Sequence, residues 1–181
     1  MIKKDSNFLS SIEFINKNLI NFDMKRNFNS IGSNIFLCFG DEKEIILESG
    51  KKRTRYEWKI WIGDASWRIS KKGKYLIGSD DPPENIQTSI QELLNKRFHS
   101  LQFLSQFLDI EINFEGDYQI TTFFNWMKDT QWSVFFPNGS NIKLDCANLK
   151  KIQNVKSSSK KISIIEKYDN NNFYIDINEL L

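Results

Sequence analysis

Carboxylates are the groups in this chain most often placed where they could do chemistry, and they come in close sets. Asp80 and Asp81 stand with Glu84, Asp41 and Glu42 with Glu44, and Asp109 with Glu111. General acid–base catalysis needs two such groups in one partly dry cleft, where their surroundings drive their protonation states apart. Neighbouring loop aspartates do not supply that on their own, and turn and helix-cap chemistry accounts for most of these positions. A carboxylate-based hydrolase is therefore kept as an alternative, with no catalytic residue assigned. The single histidine, His99, lies in a strand-like run, so a catalytic triad or a histidine-based metal centre would rest on it alone. Cys38 and Cys146 lack CxxC spacing and sit in apolar runs, as reduced buried thiols of a cytosolic protein would, with a disulfide between them as the alternative. Neither GxGxxG nor GxxxxGK[ST] occurs, so these phosphate cradles are missing from the sequence. The sequence points to no cofactor and no metal.

Binding chemistry is better represented. Three of the five tryptophans fall within WKIWIGDASWRI, residues 58–69. Strand alternation puts Trp58, Ile60 and Ile62 on one face and Lys59 with Trp61 on the other. Trp58 and Trp67 are then core residues, while Trp61 is the better candidate for a contact surface. Trp126 and Trp132 flank MKDTQ, a loop that would display Trp126. The basic stretches Lys51-Lys52-Arg53-Arg55 and Lys71-Lys72-Lys74 read as solvated hairpin ends. Together with Trp61 they also offer the charge and stacking ring of a single-stranded nucleic-acid surface.

The elements that must position these residues follow from hydrophobic spacing. Phe8, Leu9, Ile12 and Ile15 predict a short amphipathic helix over 6–17 with Ser6 as N-cap, followed by a strand in NLINFDM and a loop at FNSIGS, residues 28–33. IFLCF (35–39) and EIILES (44–49) read as a hairpin turning at Gly40–Lys43, and YEWKIWI, SWRIS and YLIGS continue the meander. Asp80 and Asp81 are placed to cap a second helix over ENIQTSIQELLNKR, with Pro83 in its first turn and Ile86, Ile90, Leu93 and Leu94 on one side. Strands resume in FHSLQFL, LDIEINF, YQITTFFNW, WSVFF and NIKLD. The expected fold class is α+β and β-rich: antiparallel meanders, one helix before each. Residues 1–150 form one domain, 151–161 a polar linker, and 162–181 a terminal hairpin or edge extension.

An internal duplication would give pseudo-repeats at 6–79 and 84–146. FINKNL (14–19) then pairs with LLNKRF (93–98), FGDEKEI (39–45) with FEGDYQI (114–120), and WKIWI (58–62) with WSVFF (132–136).

Twenty-five basic against twenty-three acidic residues leave a net charge of +2, which imposes neither nucleic acid nor an anionic membrane as a partner. No apolar run approaches the length of a spanning helix and the first residues do not read as a signal peptide, so the expected compartment is the cytoplasm.

The run WRISKKGKYLIGSDDPPENIQTSIQELLNKRFHSLQF, followed by LDIEINFEGDYQITTFF and WSVFFPNGSNIKLD, resembles small uncharacterised bacterial proteins akin to the immunity proteins of contact-dependent and polymorphic toxin systems. That resemblance spans residues 56–145 and carries no defined site residues. It implies a protein-binding module that neutralises a cognate toxin, such as a nuclease, by occupying its active site. Acidic groups at Asp41, Glu42, Asp80, Asp81 and Glu84 would mask a basic cleft and steer association, with Trp61 and Trp126 as contact residues.

Overall fold

The computed structural model describes residues 6–29, 32–46, 49–63, 65–104, 109–123, 130–138, 141–145, 161–168 and 171–178. Helix α1 (Ser6–Leu19) is followed by β1 (Met24–Asn29), β2 (Ile35–Ile46), β3 (Lys52–Ile62), β4 (Ser66–Lys71) and β5 (Lys74–Gly78). Helix α2 (Pro83–Ile90) tightens into a 3₁₀ turn (Gln91–Leu93) before β6 (Phe98–Phe103), β7 (Ile110–Phe114), β8 (Tyr118–Phe123), β9 (Thr130–Phe135) and β10 (Asn141–Asp145). A last hairpin, β11 (Lys161–Tyr168) with β12 (Asn171–Asn178), completes the order. The fold is thus α+β and β-rich, built on two antiparallel sheets. One runs β1-β2-β3-β9-β10-β12-β11 and the other β5-β4-β8-β7-β6. Among the described residues no helix is long and apolar enough to cross a membrane.

The two halves lend strands to each other. Up to β5 the chain gives three strands to the first sheet and two to the second; from α2 to β10 it gives three to the second and two to the first. The registers agree in detail. Leu37 faces Ile60 as Ile112 faces Ile120, and a bulge between Met24 and Arg26 matches one between Phe98 and Ser100. The helices cross over as well. The Asn16 amide on α1 brackets the backbone of Leu101 in β6, donating to its carbonyl at 2.9 Å and accepting from its N–H at 2.7 Å. Reciprocally, the buried Asn27 of β1 donates to the Ile90 carbonyl of α2 at 2.6 Å.

This reciprocity pairs other residues than the sequence comparison expects. Ile62 lies opposite Trp132 in the first sheet as Thr122 lies opposite Trp67 in the second, so Trp132 occupies the position of Trp67 and not of Trp58. Both indoles are buried. LINFDM (19–24) corresponds to LLNKRF (93–98), with Asn21 and Asn95 both at positive φ where their helices end. The expected pairing of FINKNL with LLNKRF is five residues out, because it aligned composition rather than the left-handed asparagine that stops each helix.

Three further boundaries differ. β2 continues through Gly40–Lys43 instead of turning there. Gly40 takes φ +76° in a bulge, where a Cβ would sit 2.6 Å from the Glu57 carboxylate, so glycine serves a bent strand and not a hairpin end. β1 includes Phe28 and Asn29, since Phe28 stacks on Phe36 across the strand pair at 4.6 Å. α2 closes at Ile90 with Pro82 as its N-cap residue and no side-chain cap.

The inner faces of the sheets and helices share one core, in which Leu19, Phe39, Ile60, Trp67, Ile90, Phe98, Phe114, Ile120 and Trp132 are all buried. Trp58 packs there edge-on against Phe136 at 5.3 Å. The terminal hairpin extends the first sheet through the pairing of Leu144 with Ile175, while residues 151–160 lie outside the described residues.

Candidate functional site

On the outer face of the first sheet, strand alternation sends Arg26 and Phe28 (β1), Phe36 and Cys38 (β2), Lys59 and Trp61 (β3) and Phe135 (β9) away from the core. β2 and β3 then run on past the neighbouring strands as a two-stranded arm that carries Ile45, Arg53, Thr54, Arg55 and Tyr56. Sheet and arm together enclose a cavity of about 380 Å³ lined by Arg26, Arg53, Arg55 and Lys59 with Phe28, Ile45, Tyr56 and Phe135 on its walls.

Three of the four cations are held by something other than a carboxylate. The Lys59 ammonium lies 4.0 Å from the Phe135 ring centroid and 5.3 Å from that of Phe36. Arg26 lies over Phe28 at 5.4 Å. Arg55 donates to the carbonyls of Phe136 at 2.9 Å and Pro137 at 3.3 Å. Among the described residues, none of these four cations forms an ion pair. Burial lowers the Lys59 pKa, and the Arg53 and Arg55 guanidiniums push it the same way against the Cys38 thiol. Burial raises Cys38 to about 11 despite Lys59 and Arg26, so the thiol in this cavity stays protonated. Tyr56 is raised too, by burial and then by its hydrogen bond to Glu42.

Trp61 points outward on this face and is half-buried, its ring 6.3 Å from that of Phe36. It lies flat along its own strand, so close over Gly63 that a Cβ there would meet the indole at 2.4 Å. Asp41 and Glu42 sit at the root of the arm, and Glu42 accepts from the Tyr56 hydroxyl at 3.0 Å. The other acidic set belongs to the β5–α2 connection. There the Asp81 carboxylate accepts from the Gly78 N–H at 2.7 Å and from the Tyr75 hydroxyl, tying the turn rather than capping α2. Asp80 and Glu84 are exposed. Of the sequence-derived contact residues, Trp61 lies on the outer sheet face, Asp41 and Glu42 are exposed at the root of the arm, Asp80, Asp81 and Glu84 stand apart beyond β5, and Trp126 lies outside the described residues. Glu111 bonds to Gln102 and Asn113, so the three carboxylate sets stay on separate elements.

Arg26, Phe28, Tyr56 and Phe135 were not singled out by sequence. Lys59 and Trp61 sharing a face was the available signal. The rest depends on β1 and β9 flanking β2–β3, a long-range pairing that local pattern does not encode. The second basic stretch is a different feature: Lys71 pairs with Glu92 at 3.2 Å on the other sheet and lies over Tyr118. Among the described residues no group of three His, Cys, Asp or Glu side chains could hold a metal ion.

No family model, curated protein or solved structure matches the chain.

Proposed function

We propose that the chain is a protein-binding module, most concretely an immunity protein of the bacterial cytoplasm that neutralises a cognate toxin by occupying its active site. The observation that carries this reading is the outer face itself. Arginine, tryptophan and tyrosine supply most of the energy in protein interfaces; Arg26, Arg55 and Tyr56 line the cavity, and Trp61 lies further along β3 on the same outer face as Lys59. A cationic face fits an acidic partner surface, such as a nuclease centre that binds its metal through carboxylates. The acidic residues then play a smaller part than sequence suggested, since Glu42 and Asp81 already accept internal hydrogen bonds.

Co-expression with the product of the adjacent gene tests the reading. A complex that survives purification and is lost in Trp61→Ala and Arg55→Ala, yet kept in Asp80→Asn with Glu84→Gln, supports it. Finding neither a complex nor protection from that product's toxicity refutes it.

Single-stranded nucleic acid is a second reading, favoured by one observation: Arg53, Arg55 and Lys59 share a strand with Trp61. Its test is affinity for an oligothymidylate against salt, because phosphate contacts impose a steep slope. Absence of binding at low salt removes it.

A further inference from the structure

The reciprocal halves provide an internal control for the cationic cavity. In the first sheet the registers align Arg26, Cys38, Lys59 and Phe135 in one row across β1, β2, β3 and β9. The corresponding row of the second sheet, across β6, β7, β8 and β4, is Ser100, Asn113, Gln119 and Ser70. The same backbone arrangement thus carries two different chemistries.

The second row closes on itself. The Asn113 amide donates to the Ser100 hydroxyl at 3.2 Å, Gln119 donates to Asn113 at 3.3 Å, and the Ser70 hydroxyl donates to Gln119 at 3.5 Å. The concavity over it is lined in part by His99, Asn113 and Gln119, with Lys72 the one lysine or arginine and Asp117 the one carboxylate among its described lining residues. The fold therefore does not need cations at these positions. The first row holds Arg26 and Lys59 there, adds Arg53 and Arg55 from the arm, and leaves all four without an ion-pair partner among the described residues. Gathering like charges around one cavity, with Arg55 and Lys59 half-buried, costs stability, and that cost is retained where a ligand of opposite charge is bound.

Size and composition narrow the ligand. About 380 Å³ falls within the range of small-molecule sites, which run from roughly 300 to 1,000 Å³. One carboxylate would neutralise one of the four cations, whereas a chain of phosphates carries enough charge to match several of them. Guanidiniums also bind phosphate oxygens in a two-pronged manner. Phe28, Ile45 and Phe135 give apolar walls for an uncharged, flat body attached to that anion. We infer that the cavity between the outer face of β1–β2–β3–β9 and the β2–β3 arm binds a nucleoside polyphosphate, the phosphates on Arg26, Arg53, Arg55 and Lys59 and the base against the apolar wall. This goes beyond the protein-binding reading and does not depend on it.

The test is calorimetric titration of the full chain at low salt with ATP, tripolyphosphate, adenosine and an oligothymidylate. Variants Arg26→Ser and Lys59→Gln install the residues that the chain itself carries at the matching positions of its other half, so the fold tolerates them there. Arg53→Gln, at an exposed position, is a further variant. Saturable one-to-one binding of ATP is expected, weaker binding of tripolyphosphate and none of adenosine, with each variant weakening ATP roughly tenfold or more, the scale of one lost charge-assisted contact. Three results overturn the inference: no saturable ATP binding, ATP affinity unchanged in folded Arg26→Ser and Lys59→Gln, or an oligothymidylate that outcompetes ATP. None of these involves the toxin partner, so they leave the co-expression result to stand or fall separately.

Discussion

The rings of Phe39 and Phe114 lie stacked in the core, centroids 6.3 Å apart and planes 7° apart. They hold corresponding places in the two halves: Phe39 faces Trp58 at the root of the β2–β3 arm, and Phe114 faces Tyr118 at the β7–β8 turn. Phe98 packs edge-on against both, at 6.0 Å from Phe39 and 6.2 Å from Phe114. The two sheets are thereby joined through like positions.

That junction predicts a coupled loss of stability. Phe39→Ala and Phe114→Ala should each cost about 3–5 kcal/mol, since both rings are buried and the surrounding sheets cannot close over the cavity. In urea unfolding the double variant should lose less than the two single losses combined, because one deletion removes the other's partner. Strict additivity would show that the halves are not joined here.

Trp61 and Gly63 give a second coupled pair. Gly63 has no positive φ to require glycine; the indole lying over it leaves no room for a methyl. Gly63→Ala should therefore cost about 1–3 kcal/mol as an overpacked site and shift the tryptophan emission. With Trp61→Ala already in place, the same change should cost well under 1 kcal/mol. An equal cost in both backgrounds would mean that Trp61 does not lie where described.

How much of this was legible follows from the same residues. Lys59 and Trp61 on one face, Trp58 and Trp67 in the core, and the β-rich α+β class follow from local alternation, which the structure keeps. The turn at Gly40–Lys43 was misread because a glycine amid charges looks alike in a hairpin end and in a bulge. Only the fit against Glu57 separates them. The cationic cavity stayed hidden for a different reason. Arg26 and Phe135 reach Lys59 through strands more than 25 residues away in the chain, and no local period carries such pairing.

Cys38 makes a pH-dependent prediction. Burial raises its thiol to about 11, outweighing the pull of Lys59 and Arg26, so the native state holds this proton more tightly than the unfolded chain does. The associated stability is complete below the ordinary thiol pKa and fades as pH rises from there towards about 11. In a Cys146→Ser background, native protein at about pH 8 should react with iodoacetamide roughly a hundredfold more slowly than protein in urea. Equal rates would place Cys38 in contact with solvent.

Lys59 carries the opposite sign. Its pKa is lowered, first by burial and then by Arg53 and Arg55 after the partial offset from Cys38, so the native state binds this proton less tightly than the unfolded chain. At neutral pH the ammonium is charged and that mismatch counts against folding; it is relieved only as pH rises through the lowered value. Facing it are Arg26 from β1, Cys38 from β2, Arg53 and Arg55 along β3, and the rings of Phe36 and Phe135, whose attraction for the cation offsets part of the cost. Lys59→Gln should therefore leave the protein at least as stable at neutral pH, by up to about 1 kcal/mol, as removal of a functional strain does. The advantage should shrink as pH rises from neutral towards about 10, in the ordinary lysine range, because the native lysine gives up its proton before the unfolded one does. Urea unfolding at both pH values measures this. A loss above about 1 kcal/mol would make Lys59 a structural residue whose value lies in its ring contacts. A variant that folds as well as the parent but no longer binds an anion would show that the charge is kept for its ligand.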